Sequence, residues 1–210
     1  NAMLYTRGHP GDYDDWAAAG CTGWGWDDVL PFFRRSENNE RGADALHGDR
    51  GPLHVSEQRT PRAITHAFVE ACAETQIPLN PDFNGPRQEG AGLYQVTQFH
   101  DGKRDGERCS VAAAWLHPVM NRPNLKVLTG ALASKVLFDG RRAVGLACRR
   151  GGRERTVGAR REVIVSGGAF GSPQLLLLSG VGPAEELKRA GVDVLHDLPG
   201  VGKNLQDHLD

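Results

Sequence analysis

Cysteine is scarce in this chain of 210 residues: there are four, at Cys21, Cys72, Cys109 and Cys148. None forms a C-x-x-C, and the gaps suit neither a zinc site nor a small disulfide framework. The pattern is that of reduced, mostly buried thiols in a cytosolic protein. Charge of one sign is also missing. The 25 Lys+Arg and 26 Asp+Glu nearly cancel, which argues against the clustered basic surface that nucleic acid requires. No apolar run approaches the ~18 residues of a membrane helix; the longest leucine run is Leu175–Leu178. The N-terminal residues show no signal-peptide pattern. G-x-S-x-G, P-loop and H-E-x-x-H motifs are all absent. The eight histidines are scattered from His9 to His208, so no metal site is expected.

Glycine, by contrast, is abundant. The 27 glycines are nearly twice the usual share of ~7%, and they fall at turns between apolar segments. Such a chain bends tightly and lets a ligand approach its backbone. At ~150 residues per domain, the length fits one or two domains.

The first 120 residues read as loop-rich with short helices. Arg7–Asp12 is turn chemistry, and Asp14–Ala19 is a short helix stopped by Gly20. Trp26, Val29, Leu30 and Phe33 recur at i, i+3, i+4 and i+7, which predicts a helix capped by Asp27 or Asp28, with Pro31 in its first turn. Residues 36–60 read as a polar surface excursion with a short strand at Leu53–Val55. A helix is expected over Ala63–Gln76, with Ile64, Phe68 and Cys72 on one side, stopped before Pro78. A strand is expected over Gly92–Phe99, and a short helix capped by Ser110.

From residue 124 the character changes to short strands: Asn124–Thr129, Ala133–Asp139, Arg142–Arg149 and Arg155–Ala159. Asp139-Gly140 and Gly151-Gly152 are tight-turn signals between them. Val144, Leu146 and Cys148 alternate with Gly145, Ala147 and Arg149, which predicts one buried face. A strand over Glu162–Ser166 then leads through Gly167–Gly171 into a leucine-rich helix entered by Ser172-Pro173. A helix over Ala184–Ala190 and a strand over Val192–Leu195 follow.

Strand, glycine turn and helix in succession present backbone N–H groups and a helix N-terminus to an anion. The full dinucleotide fingerprint, G-x-G-x-x-G with an acidic residue ~20 positions on, is not met at Gly167–Gly171 or at Gly200–Gly202. On the residues alone, tight packing is the simpler reading of both turns. Trp16, Trp24 and Trp26 likewise read as core or lid packing rather than a ligand cage. Asp207-His208 reads as a solvated pair. The lack of a complete catalytic set suggests a fragment.

Two stretches carry a resemblance. The fifteen-residue run Gly168–Gly182 (GAFGSPQLLLLSGVG) matches, at every constrained position, the second signature of the glucose–methanol–choline (GMC) oxidoreductases. Asn1–Gly8, with Asp14 beyond, resembles the second half of that family's first signature. Gly51-Pro52-Leu53, Asp82–Gly85, Glu89-Gly90, Arg108–Ser110, Arg122–Leu125 and Leu198–His208 support it, so the likeness covers essentially the whole chain. Its texture is closest to bacterial choline-dehydrogenase-like members acting on primary alcohols.

The resemblance implies a mixed α/β fold: part of an FAD-binding Rossmann-type domain with a β-meander, plus part of a substrate-cap domain. It places a flavin-cover segment at residues 1–35, a cap portion at 36–120 and an FAD-domain portion at 121–210. It implies oxidation of a primary alcohol, choline or an aliphatic one, to an aldehyde, with hydride passing to flavin N5. Family members bind FAD through a G-x-G-x-x-G near the true N-terminus, and a His base near the true C-terminus takes the alcohol proton. Neither is among these residues, so the chain looks like the middle of the enzyme, inactive by itself. By position, Asn1, Ala2 and Met3 should lie along the flavin ring, Ala133 should meet the adenine through its backbone, and Ser166–Ala169, with Gly168 and Ala169 foremost, should pass under the adenosine half. His208 matches a position that is not the base, and no catalytic residue is assigned. Asp101–Glu107 departs as a charged segment longer than the family's usual turn. The implied partner is a small-molecule alcohol, with no nucleic acid and no membrane-spanning segment; the alternative is a non-catalytic nucleotide-binding or scaffold module.

Overall fold

The computed structural model describes residues 3–206. The chain divides into two compact units, one through Lys126 and one from Val127.

The first unit opens with α1 (Pro10–Ala18) and α2 (Trp26–Ser36). Helix α1 begins four residues earlier than its sequence suggests. His9 Nδ1 accepts from Gly11 N at 3.1 Å and Asp12 Oδ2 accepts from His9 N at 2.8 Å. The Arg7–Asp12 turn chemistry is therefore a capping box, with Pro10 in the first turn. In α2 the expected apolar stripe is present, but Gly25 is the N-cap and Asp28 closes the box from N3. Pro31 lies mid-helix, where it removes one intrahelical bond. Tyr13, buried, meets Trp26 at 5.6 Å and Phe33 at 5.8 Å, which joins the two helices.

Residues 36–60 are not a surface excursion. Strand β1 (Glu37–Asn39) pairs in parallel with β2 (Leu53–Val55), and Glu37, Asn39, His47 and Ser56 are buried. Helix α3 (Ala63–Glu74) forms nearly as expected, yet Ile64 and Phe68 are exposed at 73% and 67%. The segment 92–99 is extended but pairs only through isolated bridges, Leu4–Val96, Ser56–Val96 and Gln98–Arg108, so no regular strand forms. Ser110 Oγ accepts from Ala113 N at 3.2 Å and starts a short π-type turn, Ala112–Leu116. Phe99, Cys109 and Ala114 form the local core. The charged segment Asp101–Glu107 folds back as a loop, with Arg104 on Asp101 and over the Phe99 ring at 3.6 Å.

The second unit is built on an antiparallel meander: β3 (Ala131–Asp139), β4 (Arg142–Arg150) and β5 (Arg153–Gly158). Gly140, Gly151 and Gly152 all take positive φ at the two turns, which only glycine adopts freely. Asn124–Thr129 lies outside the meander. The burial on β4 falls on Gly145 and Cys148 rather than in strict alternation. Glu162–Ser166 forms no ladder among the described residues, and Ile164 is exposed. A buried parallel strand is defined by its neighbours, and no described segment pairs with this one.

Helix α4 (Gly168–Leu178) starts at the glycines, not at Ser172-Pro173. Beyond it, β6 (Val181–Gly182) pairs in parallel with β7 (His196–Asp197), with α5 (Ala184–Arg189) between them. The carbonyl of Gly180 accepts from both Leu195 N and His196 N, which moves the last strand past Val192–Leu195. All four cysteines are free, with Cys109 and Cys148 buried, Cys72 partly buried and Cys21 exposed. No helix among the described residues is long and apolar enough to cross a membrane.

One hydroxyl fastens α4 to the meander. Val136 N donates to buried Ser179 Oγ at 2.8 Å, and Ser179 Oγ donates to Leu175 O at 2.6 Å. The outer edge of β3 would otherwise bury an unpaired amide. Ser179→Ala is therefore expected to lower the stability of the second unit by about 1–3 kcal/mol. Urea unfolding followed by far-UV circular dichroism checks this.

Candidate functional site

Two places carry the residues that the sequence singles out, one in each unit. In the second unit the glycine bend is open. Gly168 opens α4 at φ +83°, and neither Gly168 nor Gly171 has any atom within 4 Å of where a side chain would begin. Gly168, Ala169 and Phe170 are exposed. The bend is closed on itself by Gly167 N, which donates to Ser172 Oγ at 2.9 Å. A side chain at Gly167 would press on Gly171 C and Ser172 N, both at 3.1 Å. The result is a narrow turn with free helix N-terminal amides, bare backbone and no bulky residue filling it. Such a turn suits a group carrying phosphate or ribose oxygens.

Ala133 lies in the same unit, exposed on β3 opposite Cys148. The register shifts between Ala133 and Lys135. The bulge leaves Ser134 outside the ladder, next to Ala133, which stays paired with Cys148.

In the first unit, Asn1 and Ala2 lie outside the described residues, as do Asp207 and His208 in the second. Met3 is placed, at φ +67°. An L-residue enters that region only where its surroundings hold it there. The same unit holds a polar cluster that hydropathy along the sequence does not reveal. Glu37, with no exposed surface, accepts from Arg7 Nη2 at 2.7 Å, Asn39 Nδ2 at 2.9 Å and Gly48 N at 3.1 Å. His47 spans two carboxylates, Nδ1 to Glu37 Oε1 at 3.1 Å and Nε2 to Asp82 Oδ2 at 2.9 Å. With both ring nitrogens protonated, the imidazolium donates to a carboxylate on each side. The cluster extends through Gln95, whose amide exchanges hydrogen bonds with Asn39 at 3.0 and 3.1 Å. The one signal for it in the sequence is the density of Asp, Asn, Glu, Arg and His around three glycines. Gly48 and Gly51 lie so close to the backbones of Arg34 and Ser36 that no side chain fits there.

Electrostatics follows the geometry. Asp82 and Glu37 hold the His47 imidazolium, raising its pKa to about 9. His47 in turn holds the half-buried Asp82 below the usual carboxylate range, against the opposing effect of burial. Burial pushes the Cys109 thiol up, so it is inert at neutral pH. Beside α1 and α2 a cavity of about 790 Å³ is lined by aromatic groups including Trp24, Phe32 and Trp115. Among the described residues no group of three or more His, Cys, Asp or Glu is placed to hold a metal.

The His47 contribution to stability has a defined sign. Its folded pKa lies above its ordinary 6.5, so the stabilisation is complete below pH 6.5 and fades as pH rises through about 9. The Asp82 contribution is present above its ordinary value and is lost as acid protonates it. Unfolding free energies from urea titrations should fall from pH 6.5 to pH 9 by an amount on the order of 2 kcal/mol. His47→Gln should start lower and flatten that slope.

The family model described as GMC oxidoreductase matches residues 1–210. Among curated proteins, the chain is 45% identical over 210 residues to the oxygen-dependent choline dehydrogenase of Brucella anthropi, covering 100% of this chain and 37% of that protein. It is 47% identical to the human mitochondrial choline dehydrogenase, covering 34% of it. The chain thus spans about a third of the length of the curated relatives it matches. Among solved structures it resembles pyridoxine 4-oxidase from Mesorbium loti, with TM-score 0.84 and 34% identity over 95% of this chain and 38% of that one. It also resembles an FAD-dependent oxidoreductase from Chaetomium thermophilum, with TM-score 0.86 and 29% identity over 95% of this chain and 36% of that one. A match over every residue, joined to the mixed α/β fold and the glycine-led helix, places this chain in the GMC oxidoreductase family.

Proposed function

We propose that the protein to which this chain belongs oxidises a primary alcohol, choline or an aliphatic one, to the aldehyde, using FAD. When bound, FAD would supply the two-electron (hydride) acceptor for that oxidation. The chain's part is to hold that group, and the observation that carries the reading is the open bend at Gly167–Gly171. A side chain begun at Gly168 or Gly171 would meet open space, and the first turn of the helix is exposed. Gly168 and Ala169 would offer backbone to the adenosine half, and Ala133, exposed beside the bulge at Ser134, would meet the adenine through its backbone. Met3, with Asn1 and Ala2 before it, would run along the flavin ring. The likeness to choline dehydrogenases supports choline as the alcohol. Functionally, residues 1–35 would cover the flavin, 36–120 would contribute to the substrate cap, and 121–210 to FAD binding. The free thiols support a reducing compartment.

A second reading applies to the 210 residues taken alone: a scaffold or nucleotide-binding piece without turnover. What favours it is that they contain no G-x-G-x-x-G and no group assigned as base.

Two measurements test the proposal. With FAD, choline or a short aliphatic alcohol, and a dye acceptor, the longer protein should bleach its flavin and reduce the dye. No flavin reduction with any alcohol would contradict it, whereas turnover by these 210 residues alone would overturn the second reading. In the longer protein, Gly168→Val should weaken FAD binding about tenfold or more. A β-branched residue resists φ +83°, at a cost of order 1–3 kcal/mol. Unchanged affinity by titration would remove the bend from the site.

A further inference from the structure

The segment Met3–Gly8 is held in place by side chains and backbone from distant parts of the first unit. The Met3 carbonyl accepts from Thr97 N at 2.8 Å and Thr97 Oγ1 at 3.3 Å. Tyr5 N donates to Gln95 O at 2.9 Å, and Tyr5 O accepts from Asn84 Nδ2 at 2.9 Å. Arg7 N donates to Asn84 Oδ1 at 2.7 Å, and Arg7 O accepts from Gln88 Nε2 at 2.8 Å. The Arg7 guanidinium donates to Leu46 O at 2.8 Å and to Glu37 Oε2 at 2.7 Å.

Two routes therefore join Glu37 to this segment. One is direct, through Arg7. The other runs through Asn39, whose two amide protons go to Glu37 Oε1 and Gln95 Oε1. Gln95 then holds Tyr5 through its own carbonyl, two residues before the Thr97 that holds Met3. Neither Glu37 nor Arg7 has a part in holding alcohol or cofactor in the function proposed above.

We infer that Glu37 is a positioning residue: through Arg7 and through Asn39–Gln95 it fixes the Met3 backbone in its left-handed conformation, and so sets the dipoles presented to the flavin. This rests on the reading that residues 1–3 run along the flavin ring. Fixed dipoles beside a redox group favour one of its charge states over the other. Loosening Met3 should therefore change how readily the flavin is reduced, apart from any loss of stability.

The test uses the longer protein loaded with FAD and compares the wild type with Glu37→Gln and Arg7→Lys. Glu37→Gln is nearly isosteric and removes the charge facing Arg7 and His47. Arg7→Lys keeps the charge but cannot reach Glu37 and Leu46 together. The readouts are the flavin midpoint potential, its visible spectrum and the thermal midpoint. Both variants should bind FAD, with the two-electron reduction equilibrium moved on the order of tenfold, ~30 mV, and a changed flavin band. If folded, FAD-loaded Arg7→Lys keeps the wild-type potential and spectrum, and only thermal stability falls, the inference is overturned, whether or not Glu37→Gln folds. A wild-type protein that takes up no FAD would instead remove the proposed function, and the inference with it.

Discussion

The ion pair between Arg7 and Glu37 is the constraint on which the first unit depends. Glu37 is wholly buried, and an isolated carboxylate in that position would cost several kcal/mol. It is tolerated because Arg7, 30 residues away in sequence, and Asn39, His47 and Gly48, which follow within 11 residues, converge on its two oxygens. The arrangement is all-or-none in character. Removing one partner strands a charge, at about 3–5 kcal/mol, so the N-terminal segment, β1, the His47 loop and the Asp82 loop hold their places together. Phe33 of α2 lies 5.2 Å from the Arg7 guanidinium, which ties the helical pair to the same centre. The pattern supplies direction and register more than net stability, since buried charge pairs roughly break even against apolar packing.

The second unit solves a different problem with simpler means. A helix that is apolar nearly all round needs cover, and α4 obtains part of it from β3, where Ser179 joins helix end to strand edge. Gly180 lets the chain pass against the Asp193 backbone, where a side chain would not fit, and Gly182 lies against the Leu177 side chain. The residues of the family-like run therefore fall into two groups. The glycines at its start leave room, and the serine and glycines at its end fix position.

What could be read from the sequence was local. The α2 stripe, the Ser110 cap and the glycine turns of the meander each announce themselves within a few residues. The start of helix α1 escaped because a histidine serves as its cap, a role that Ser, Thr, Asp or Asn usually fills. The Glu37 cluster escaped because hydropathy reports polar residues as exposed. Its partners are as far apart as Arg7 and Glu37 or Asn39 and Gln95, and no window of sequence contains them. Segments 92–99 and 162–166 have strand composition, but a strand needs a neighbour in register, which composition does not specify. Of the candidate site, Gly168 and Ala169 are singled out only by the family-like run, and nothing nearby in sequence marks Glu37 as buried.

On the proposed function, the open bend of the second unit and the tethered N-terminal segment of the first unit each have a part in FAD binding. Amide hydrogen exchange on the longer protein, with and without FAD, is the sharpest test of that shared role. Exchange should slow on FAD addition at residues 167–171, at Ala133 and along residues 3–7, with the Gly151-Gly152 turn unaffected. FAD bound tightly with no change at those amides would contradict it.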